Sequence, residues 1–456
     1  MARCSGHGLR LNRHWSSMPN THLGLAYEMD IKAKSQSRDE MKVVVIGAGI
    51  VGLFAALEIQ RTGRHVVILD PGDPGGRQAA SYGNAGWVSP AALMPVSIPG
   101  LWRQLPRLLV DKSGPLVIRW QHLPRLLPWL LRFFWAGRSW KKVEACAKLR
   151  FELCRDSVVD HQRVAAEAGV SHLVEHKGAL FVYPEKSDFL ASQFYWEMRR
   201  RLGFKVTELD KADLQKHEPN ISDRYQFGVL LEEECHVTDL KAYCEAIAEL
   251  IRNRGGEFIR AQAKGLMISG GRLKAIMTDE RSIECAQAVL TAGIGSKKLA
   301  AAAGDRVPLE SERGYHVMIA DEGKTINRPI MPTDGRMGIT PMRQGLRIAG
   351  QVELASVGAP PDWRRAKILH QWLSSILQSP PVVSDKVVDQ WMGHRPSTPD
   401  GLPCIGPARF CRGLFYGFGH GHTGLTQAPA TAKLLAALVA GQEPHIDISA
   451  MSVHRF

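Results

Sequence analysis

The sequence predicts an α/β protein built from a parallel-sheet domain and an inserted α+β domain with a mixed sheet. Three observations support this prediction. The segment 42–70 runs through strand, glycine-rich turn, helix and strand, which is the repeating unit of a parallel sheet. Segments of similar character return only after residue 280, and strands of another type lie between. The 456 residues suffice for two domains of ordinary size.

The pattern of the segment 42–70 predicts its four elements. A β-branched run is typical of a strand buried on both faces, and glycine commonly ends a helix because it adopts left-handed conformations without strain. The predicted elements are a strand at Lys42–Ile46, a turn at Gly47–Gly52, a helix at Leu53–Thr62 stopped by Gly63, and a strand at His65–Asp70. This order is a βαβ unit of a Rossmann-type domain.

Gly47, Gly49 and Gly52 form a GxGxxG motif at the end of the first strand. The first glycine permits a tight turn, the second lets the backbone approach a pyrophosphate, and the third lets the helix pack on the strand. Ile50 and Val51 lie where the free N–H groups and dipole of the helix attract phosphate oxygens. In this context the motif predicts a dinucleotide cofactor.

Asp70 ends the second strand, where a carboxylate can accept hydrogen bonds from a ribose diol. The motif and this acid leave FAD and NAD both open. Two later segments are typical of the same sheet. Ala286–Leu290 runs into the turn TAGIGS, which contains Gly293, and Leu414–Tyr416 runs into GFGHGHTGLTQAP and an alanine-rich helix.

Strands of a second sheet are predicted at 178–184, 313–319, 336–340 and 345–353. Their positions between the Rossmann-type pieces predict an inserted domain. We assign 41–95, 228–305 and 388–447 to the cofactor domain, and 96–227 and 306–387 to the inserted domain. Residues 1–40 are polar and aperiodic, and we expect either a disordered extension or a true start at Met41.

Composition excludes several classes of protein. The 8 cysteines include no CxxC pair, and no cluster has the spacing of a metal or iron–sulfur site, so we expect no metal. The start of the chain lacks the apolar segment of a secretory signal, so we expect a cytoplasmic protein. No nucleic-acid-binding motif accompanies the net charge of +13, and we expect no nucleic acid partner.

The positive charge is concentrated in residues 101–150, which also hold five of the 11 tryptophans. The stretch LPRLLPWLLRFFWAGRSWKK mixes Arg and Lys with Trp, Leu and Phe. Two interpretations stay open: a peripheral contact with the inner face of an anionic membrane, or an amphipathic helix packed on the protein's own core. Pro124, Pro128 and the interspersed charges argue against a transmembrane helix.

Two further motifs resemble those of the D-amino acid dehydrogenase branch of the FAD-dependent D-amino acid oxidase superfamily. SYGNAGWVSP is similar to the family segment that ends in Asn-Ala-Gly, here Asn84, Ala85 and Gly86. WMGHRPSTPDGLPCIGP, residues 391–407, is similar to the family's long Gly-x-Arg-Pro signature, and GHGHTGLTQ to its glycine-rich turn. The resemblance extends from Met41 over nearly the whole chain.

This resemblance implies a non-covalently bound FAD and names site residues. The Asn84–Gly86 loop is expected to lie beside the flavin. A second loop is expected to lie under the flavin ring, and its residues are Gly419, Gly421, His422, Thr423 and Gly424. Arg395 is expected to clamp the substrate carboxylate, since an arginine fork suits that group. Tyr315 is the second candidate for the substrate pocket. We assign no general base, because a substrate that binds as the neutral amine needs none.

The chain departs from the family pattern at Arg313, His316 and His394. Histidines near a site can alter substrate choice or pH dependence, but they more often only complete hydrogen bonds. His420 and His422 lack an evident third ligand, and the flavin-loop interpretation accounts for them better than a metal does.

The resemblance implies oxidation of a D-amino acid to an imino acid, which water converts to a 2-oxo acid and ammonia. Electrons would pass to a quinone or another acceptor. The alternatives are a relative that acts on glycine, sarcosine, D-proline or hydroxyproline, a flavin subunit of a multi-subunit dehydrogenase, and a degenerate FAD-binding sensor. The sequence leaves the oligomeric state open.

Overall fold

The computed structural model describes residues 42–104, 114–321, 325–381 and 387–456. In chain order the strands are β1 (Lys42–Ile46), β2 (His65–Asp70), β3 (Trp87–Val88), β4 (Leu116–Ile118), β5 (Val174–Glu175), β6 (Ala179–Tyr183), β7 (Val206–Asp210), β8 (Phe227–Leu231), β9 (Cys235–Val237), β10 (Glu257–Arg260), β11 (Ala263–Ser269), β12 (Arg272–Thr278), β13 (Ser282–Glu284), β14 (Gln287–Leu290), β15 (Glu310–Ile319), β16 (Ile330–Pro332), β17 (Gly338–Met342), β18 (Gly345–Leu354), β19 (Val387–Ser397), β20 (Cys404–Pro407) and β21 (Leu414–Phe418).

The α-helices, again in chain order, are α1 (Ile50–Arg61), α2 (Leu123–Ala136), α3 (Trp140–Cys154), α4 (Ser157–Glu167), α5 (Lys186–Ala191), α6 (Gln193–Arg201), α7 (Lys211–His217), α8 (Leu240–Asn253), α9 (Ser296–Ala302), α10 (Arg364–Ile376) and α11 (Gly424–Val439). The predictions made for residues 1–40 fall outside the described residues.

The first sheet has the strand order β10-β2-β1-β14-β21-β20, and all its neighbours are parallel except the edge pair β20 and β21. Val43, Val44 and Val45 are fully buried, because helices and loops cover both faces of the sheet. Both strands predicted within 42–70 are confirmed. The helix begins at Ile50, three residues before the prediction, because Gly49 already takes the extended conformation of an N-cap.

The second sheet is mixed, with the order β19-β15-β18-β17-β16-β6-β8-β7, and β4 pairs with β18. Its parallel pairs are β16 with β6 and β18 with β4. The four strands predicted for this sheet correspond to β6, β15, β17 and β18, and helix α10 packs on one face of it. The predicted fold class, a Rossmann-type domain with a mixed-sheet insertion, is confirmed.

Strand pairing bears on the proposed domain boundaries. β8 and β19 pair within the second sheet, although the sequence analysis placed 228–231 and 388–397 in the cofactor domain. A fully buried run such as FGVLL is the same in either sheet, so its partner cannot be inferred locally. We therefore propose that the cofactor domain resumes after β8 and again after β19.

Helix α2 contains most of the basic, Trp-rich stretch, and it has two faces. Trp129 is buried and packs with Leu126 and Leu130 against the protein's own core. Leu127, at 51% exposure, lies on the opposite face with the other exposed apolar side chains described below. The core-packing interpretation therefore holds for one face of the helix, whereas the other face is exposed. In the described residues no helix has the length and apolar character needed to cross a membrane.

We predict that Trp129→Ala lowers the free energy of unfolding by about 3–5 kcal/mol, the range for removing a large buried aromatic side chain. Trp129 stacks on Phe133 at 5.1 Å and donates its indole N–H to the Ser397 carbonyl at 3.2 Å. Trp135→Ala on the exposed face is the matched control and should change stability by no more than about 0.5 kcal/mol. Urea unfolding followed by circular dichroism measures both, and equal effects would contradict this assignment of faces.

Candidate active site

Three turns meet at one edge of the first sheet. β1, β14 and β21 are adjacent and parallel, so the turns that follow them lie side by side. These turns span 47–49, 291–295 and 419–423. The carboxyl edge of a parallel sheet is where ligands bind in folds of this kind. The predicted residues Gly47, Gly293 and Gly419 are therefore brought together.

The first turn tolerates only glycine at two positions. Gly47 has φ +111°, and a Cβ there would lie 2.6 Å from the Thr291 carbonyl oxygen. A Cβ at Gly52 would overlap the Gly47 carbonyl oxygen. The two glycines thus let helix α1 approach β1 and β14 as closely as the motif predicted.

The N-terminus of α1 is open to an anion. Gly49 caps the helix without a side-chain hydrogen bond, and the first turn contains no acidic residue. Ile50 N donates to the Ser81 hydroxyl at 2.9 Å, and Val51 follows in the same turn. The N–H groups that follow Ile50 in the first turn, together with the helix dipole and the lack of an acidic side chain in that turn, suit phosphate oxygens.

Asp70 lies at the end of β2, and its carboxylate accepts hydrogen bonds from the loop after β1 and from the loop after β2. Its Oδ2 accepts from Ala48 N at 2.7 Å, and its Oδ1 accepts from Gly72 N at 2.8 Å and from Gln78 Nε2 at 3.0 Å. The carboxylate is thus at the position expected of a ribose acceptor. A contact with ribose stays a prediction.

The Asn84–Gly86 loop is held from two sides. Asn84 Oδ1 accepts from Gly86 N at 2.8 Å, and Gly86 takes φ +83°. Buried Arg347 donates to the Asn84 carbonyl at 2.8 Å, and burial lowers the pKa of Arg347 to about 10. Ala85 faces β17, where a Cβ at Gly338 would lie 3.3 Å from its own Cβ. The loop therefore packs against the second sheet.

The glycine-rich turn after β21 joins the two sheets. Gly419 and Gly421 have φ +89° and +55°, and Gly424 opens helix α11, whose cap residue Thr423 makes no side-chain capping bond. His420 forms an isolated bridge with Ser397 at the end of β19. This bridge places the carboxyl end of β19 against the predicted flavin turn.

Arg395 lies two residues before that bridge. Its Nη1 donates to the Gln351 carbonyl at 2.8 Å, and its Nη2 lies 3.4 Å from the Gly350 carbonyl. The guanidinium crosses Gly314 of β15, where any Cβ would overlap it. Glycine at this position therefore makes room for the predicted clamp. Two bonds to carbonyls leave further guanidinium N–H groups for a carboxylate.

Glu312 is a site residue that the sequence analysis missed. It pairs across the sheet with Arg395, and its Oε2 lies 2.7 Å from His422 Nε2. Burial favours the neutral acid, but the charges of His422 and Arg395 outweigh it and hold the pKa of Glu312 below its usual range. The alternation of side chains along β15 is the signal that could have found it, since Glu312 and Gly314 share a face.

The same alternation places Tyr315 on the other face of β15. Its hydroxyl donates to Glu353 Oε2 at 2.6 Å and accepts from Asp362 N at 3.0 Å, and its ring packs in the core beneath α10. The structure therefore does not bring Tyr315 to Arg395, and we withdraw it as a pocket residue. Arg313 lies on that far face too, 3.3 Å from Glu353.

The side chains of the two histidines that depart from the family pattern, His394 and His316, do not lie beside that of Arg395. His394 points to the far face and shares a hydrogen bond with the Ser311 hydroxyl at 2.8 Å. His316 stacks on Trp391 and lies 3.3 Å from Asp389. Both complete local hydrogen bonds. Within the described residues, no group of His, Cys, Asp and Glu side chains could hold a metal ion.

A cavity of about 190 Å³ adjoins the bridge between the sheets. The predicted turn residues contribute one wall and the end of β19 another. Its lining comprises Ala92, Met94, Val96, Ser97, Phe133, Arg150, Arg199, Glu312, Ser397, Thr398, Pro399, Gly401, Gly419, His420, Gly421, His422 and Thr423. The cavity thus combines a nucleotide-type turn with a buried acid beside an arginine.

A family model described as FAD dependent oxidoreductase matches residues 42–438. The chain belongs to this family. It is 42% identical over 415 residues to the D-amino-acid oxidase of Bradyrhizobium diazoefficiens, an alignment that covers 91% of this chain and 98% of the relative. It is 26% identical to the D-amino acid dehydrogenase of Rhizobium johnstonii, over 91% of this chain and 100% of that one.

Among solved structures, the fold of this FAD-dependent oxidoreductase is similar to that of glycine oxidase from Geobacillus kaustophilus. The TM-score is 0.71 at 18% identity, with 91% of this chain and 98% of the other covered. L-Proline dehydrogenase from P. horikoshii gives a TM-score of 0.69 at 16% identity, with 91% and 97% covered. At this identity the likeness establishes the shared fold.

FAD is the cofactor of this family, and the residues present fit it. The α1 turn and its free N–H groups would hold the pyrophosphate, Asp70 the ribose, and the 419–424 turn the flavin ring. The steric fit of Gly47 and Gly52 and the absence of acids at the starts of α1 and α11 agree with a bound anion.

We predict that Gly52→Ala abolishes most FAD binding, because the added methyl must push helix α1 away from the Gly47 carbonyl. The measurement is the ratio of flavin to protein absorbance in the purified protein. Gly358→Ala is the matched control, since a Cβ there meets nothing within 4 Å. Full flavin content in Gly52→Ala would contradict the assignment of the pyrophosphate site.

Proposed function

We propose that this FAD-dependent oxidoreductase oxidises D-amino acids to imino acids, which water converts to 2-oxo acids and ammonia. The observation that carries the proposal is Arg395, whose guanidinium lies over Gly314 beside the turn that would hold the flavin ring. The relatives named D-amino-acid oxidase and D-amino acid dehydrogenase support this substrate class.

The residues of the chain bind and orient the substrate. Arg395 forms paired hydrogen bonds with the α-carboxylate, and Gln351 and Gly350 hold its guanidinium in place. Glu312 balances the charge of Arg395 before substrate arrives and restrains His422. FAD, when it is bound without a covalent link, supplies the hydride acceptor. The amide N–H groups at Gly421–Gly424 face the place where negative charge develops.

No side chain is assigned as general base. A substrate that binds as the neutral amine has the lone pair that forms the C=N bond as the hydride leaves. Glycine, sarcosine, D-proline and hydroxyproline would use the same clamp, so they are the alternative substrates. Electrons then pass to a quinone or another acceptor.

Arg395→Ala is expected to keep its FAD and fold while losing roughly 2–5 kcal/mol of transition-state stabilisation, the range for removing one partner of a buried charge pair. The measurements are kcat/KM for a D-amino acid and the flavin content of the same sample. Arg364→Ala is a suitable control, because this arginine is exposed and pairs only locally with Asp362. Unchanged kcat/KM in Arg395→Ala would remove the clamp assignment.

The location proposed for this enzyme is the surface of an anionic membrane. We define the apolar face as Leu127, Leu131 and Trp135 of α2, of which the last two are 63% and 64% exposed. Exposed cations surround it: Arg125, Arg132, Arg138, Lys141 and Lys142. Exposed Leu and Trp with flanking cations suit the headgroup region of a bilayer, and contact there would bring the enzyme to a lipid-soluble quinone.

Replacing all three residues of the apolar face with Ser should weaken binding to phosphatidylglycerol vesicles by about tenfold or more, because burying each side chain contributes roughly 1.5–3 kcal/mol. Vesicle cosedimentation measures this. The control replaces Leu190, Val357 and Phe410, which are exposed elsewhere, with Ser. Equal sedimentation of both triple variants would contradict the membrane contact.

A further inference from the structure

Two arginines of the cavity have no carboxylate in ion-pair contact among the described residues. These are Arg150 of α3 and Arg199 of α6, and both line the cavity beside the proposed flavin turn. A buried guanidinium without a counter-ion is costly, since its charge leaves water without compensation. Sites that keep such a charge commonly use it on a ligand.

Among the described residues, Arg150 donates hydrogen bonds only to neutral oxygens. It is 7% exposed, and its guanidinium donates to the carbonyls of Gly401 at 2.7 Å and Ala92 at 3.0 Å, and to the Thr423 hydroxyl at 3.3 Å. Its Nε–H has no acceptor within the part of the chain that the structure describes. The charge of Arg150 also acts on the turn after β21. Burial and, to a lesser extent, repulsion by Arg150 lower the pKa of His420 in that turn to about 3. These contacts orient the guanidinium and leave its charge unmatched.

Arg199 is half-buried, and its guanidinium lies 4.7 Å from the centre of the Trp196 ring. It donates to the carbonyls of Ala91 at 3.0 Å and Tyr195 at 3.2 Å. The acid with the largest electrostatic effect on the pKa of Arg199 is Glu234. Glu234 accepts a hydrogen bond from the Ser89 hydroxyl, and burial raises its pKa to about 7. Because burial disfavours the charged form of Glu234, this acid offsets the charge of Arg199 only in part.

The remaining acid in the lining does not compensate these two arginines. Glu312 is already matched by His422 at 2.7 Å and by the charge of Arg395. Met94, Val96 and Phe133 form an apolar part of the wall. The cavity therefore has an apolar part and a cationic part, and it adjoins Ser397, two residues beyond the proposed carboxylate clamp.

We propose that the part of this cavity that the flavin ring leaves free receives the substrate side chain and that Arg150 and Arg199 bind a second carboxylate on it, so that acidic D-amino acids are the preferred substrates. The inference rests on the proposed function and narrows its substrate class. An apolar wall accommodates the methylene groups of such a side chain, and guanidinium groups bind its carboxylate through charge-assisted hydrogen bonds.

The test compares kcat/KM for D-glutamate and D-glutamine, which differ in charge and hardly in shape. The wild-type enzyme should prefer D-glutamate by about tenfold or more, the order expected when a buried charge pair is formed with one substrate only. Arg150→Gln and Arg199→Gln should each reduce this ratio severalfold. The ratio cancels any general loss of folded or FAD-loaded enzyme, which flavin content measures separately.

Neighbouring arginines that are already ion-paired provide matched controls. Arg155 at the end of α3 pairs with Glu152 at 3.0 Å, and Arg200 of α6 pairs with Glu208 at 2.6 Å. Arg155→Gln and Arg200→Gln should keep the wild-type ratio. A loss of preference in these controls as large as in the cavity variants would overturn the assignment to the cavity.

The failure of this inference can be told from the failure of the proposed function. If D-glutamine and other neutral D-amino acids are oxidised and D-glutamate gains no advantage, the side-chain pocket is wrong and the proposed function stands. The same conclusion holds if the preference survives in both cavity variants. If no D-amino acid is oxidised by the FAD-loaded enzyme, the proposed function fails and this inference with it.

Discussion

The parallel pairing of β1, β14 and β21 is the constraint on which the site depends. Since the three strands run in one direction side by side, three turns from distant parts of the chain meet at one edge. The close approach of Gly47 to Thr291 fixes the first two turns against each other. The start of α11 then lies beside that of α1. Two helix starts at one edge create the positive environment that an anionic dinucleotide requires.

The second sheet contributes the side chains proposed to bind the substrate, and one contact joins it to this edge. The bridge between Ser397 and His420 joins the end of β19 to the turn before α11. Arg395 precedes Ser397 on the same strand face, and Glu312 and Gly314 face it from β15. A clamp on one sheet is thereby held beside the turn of the other. Small changes in strand register would separate them, because a shift of one residue reverses every side chain.

Local requirements could be predicted from the sequence, and non-local ones could not. The glycine motif, β1 and β2 depend on residues within one βαβ unit, and they lie where the pattern indicates. Arg395 was predicted from the long motif at residues 391–407. Tyr315 was named as a pocket candidate from a motif, and a motif does not state which face of the strand a side chain occupies; the structure places Tyr315 on the face opposite to Arg395. Arg150 and Arg199 stand far along the chain from the clamp, and only folding brings them to the cavity.

The same distinction applies to helix α2. Its composition was compatible with a core helix and with a membrane-facing helix, and the structure shows a buried face at Trp129 and an exposed face at Trp135. Composition alone does not show which face of a helix packs on the core, because other segments of the chain form that core. The residues of β8 were placed in the cofactor domain for a related reason, since a buried apolar strand does not specify its neighbours.

Anaerobic titration of the FAD-loaded enzyme with D-amino acids and their L enantiomers tests the central claim most directly. D-Amino acids should bleach the visible bands of the oxidised flavin, with one 2-oxo acid formed for each flavin reduced, and the L enantiomers should leave the bands unchanged. A flavin that stays oxidised with every D-amino acid, or that both enantiomers bleach equally well, would contradict it.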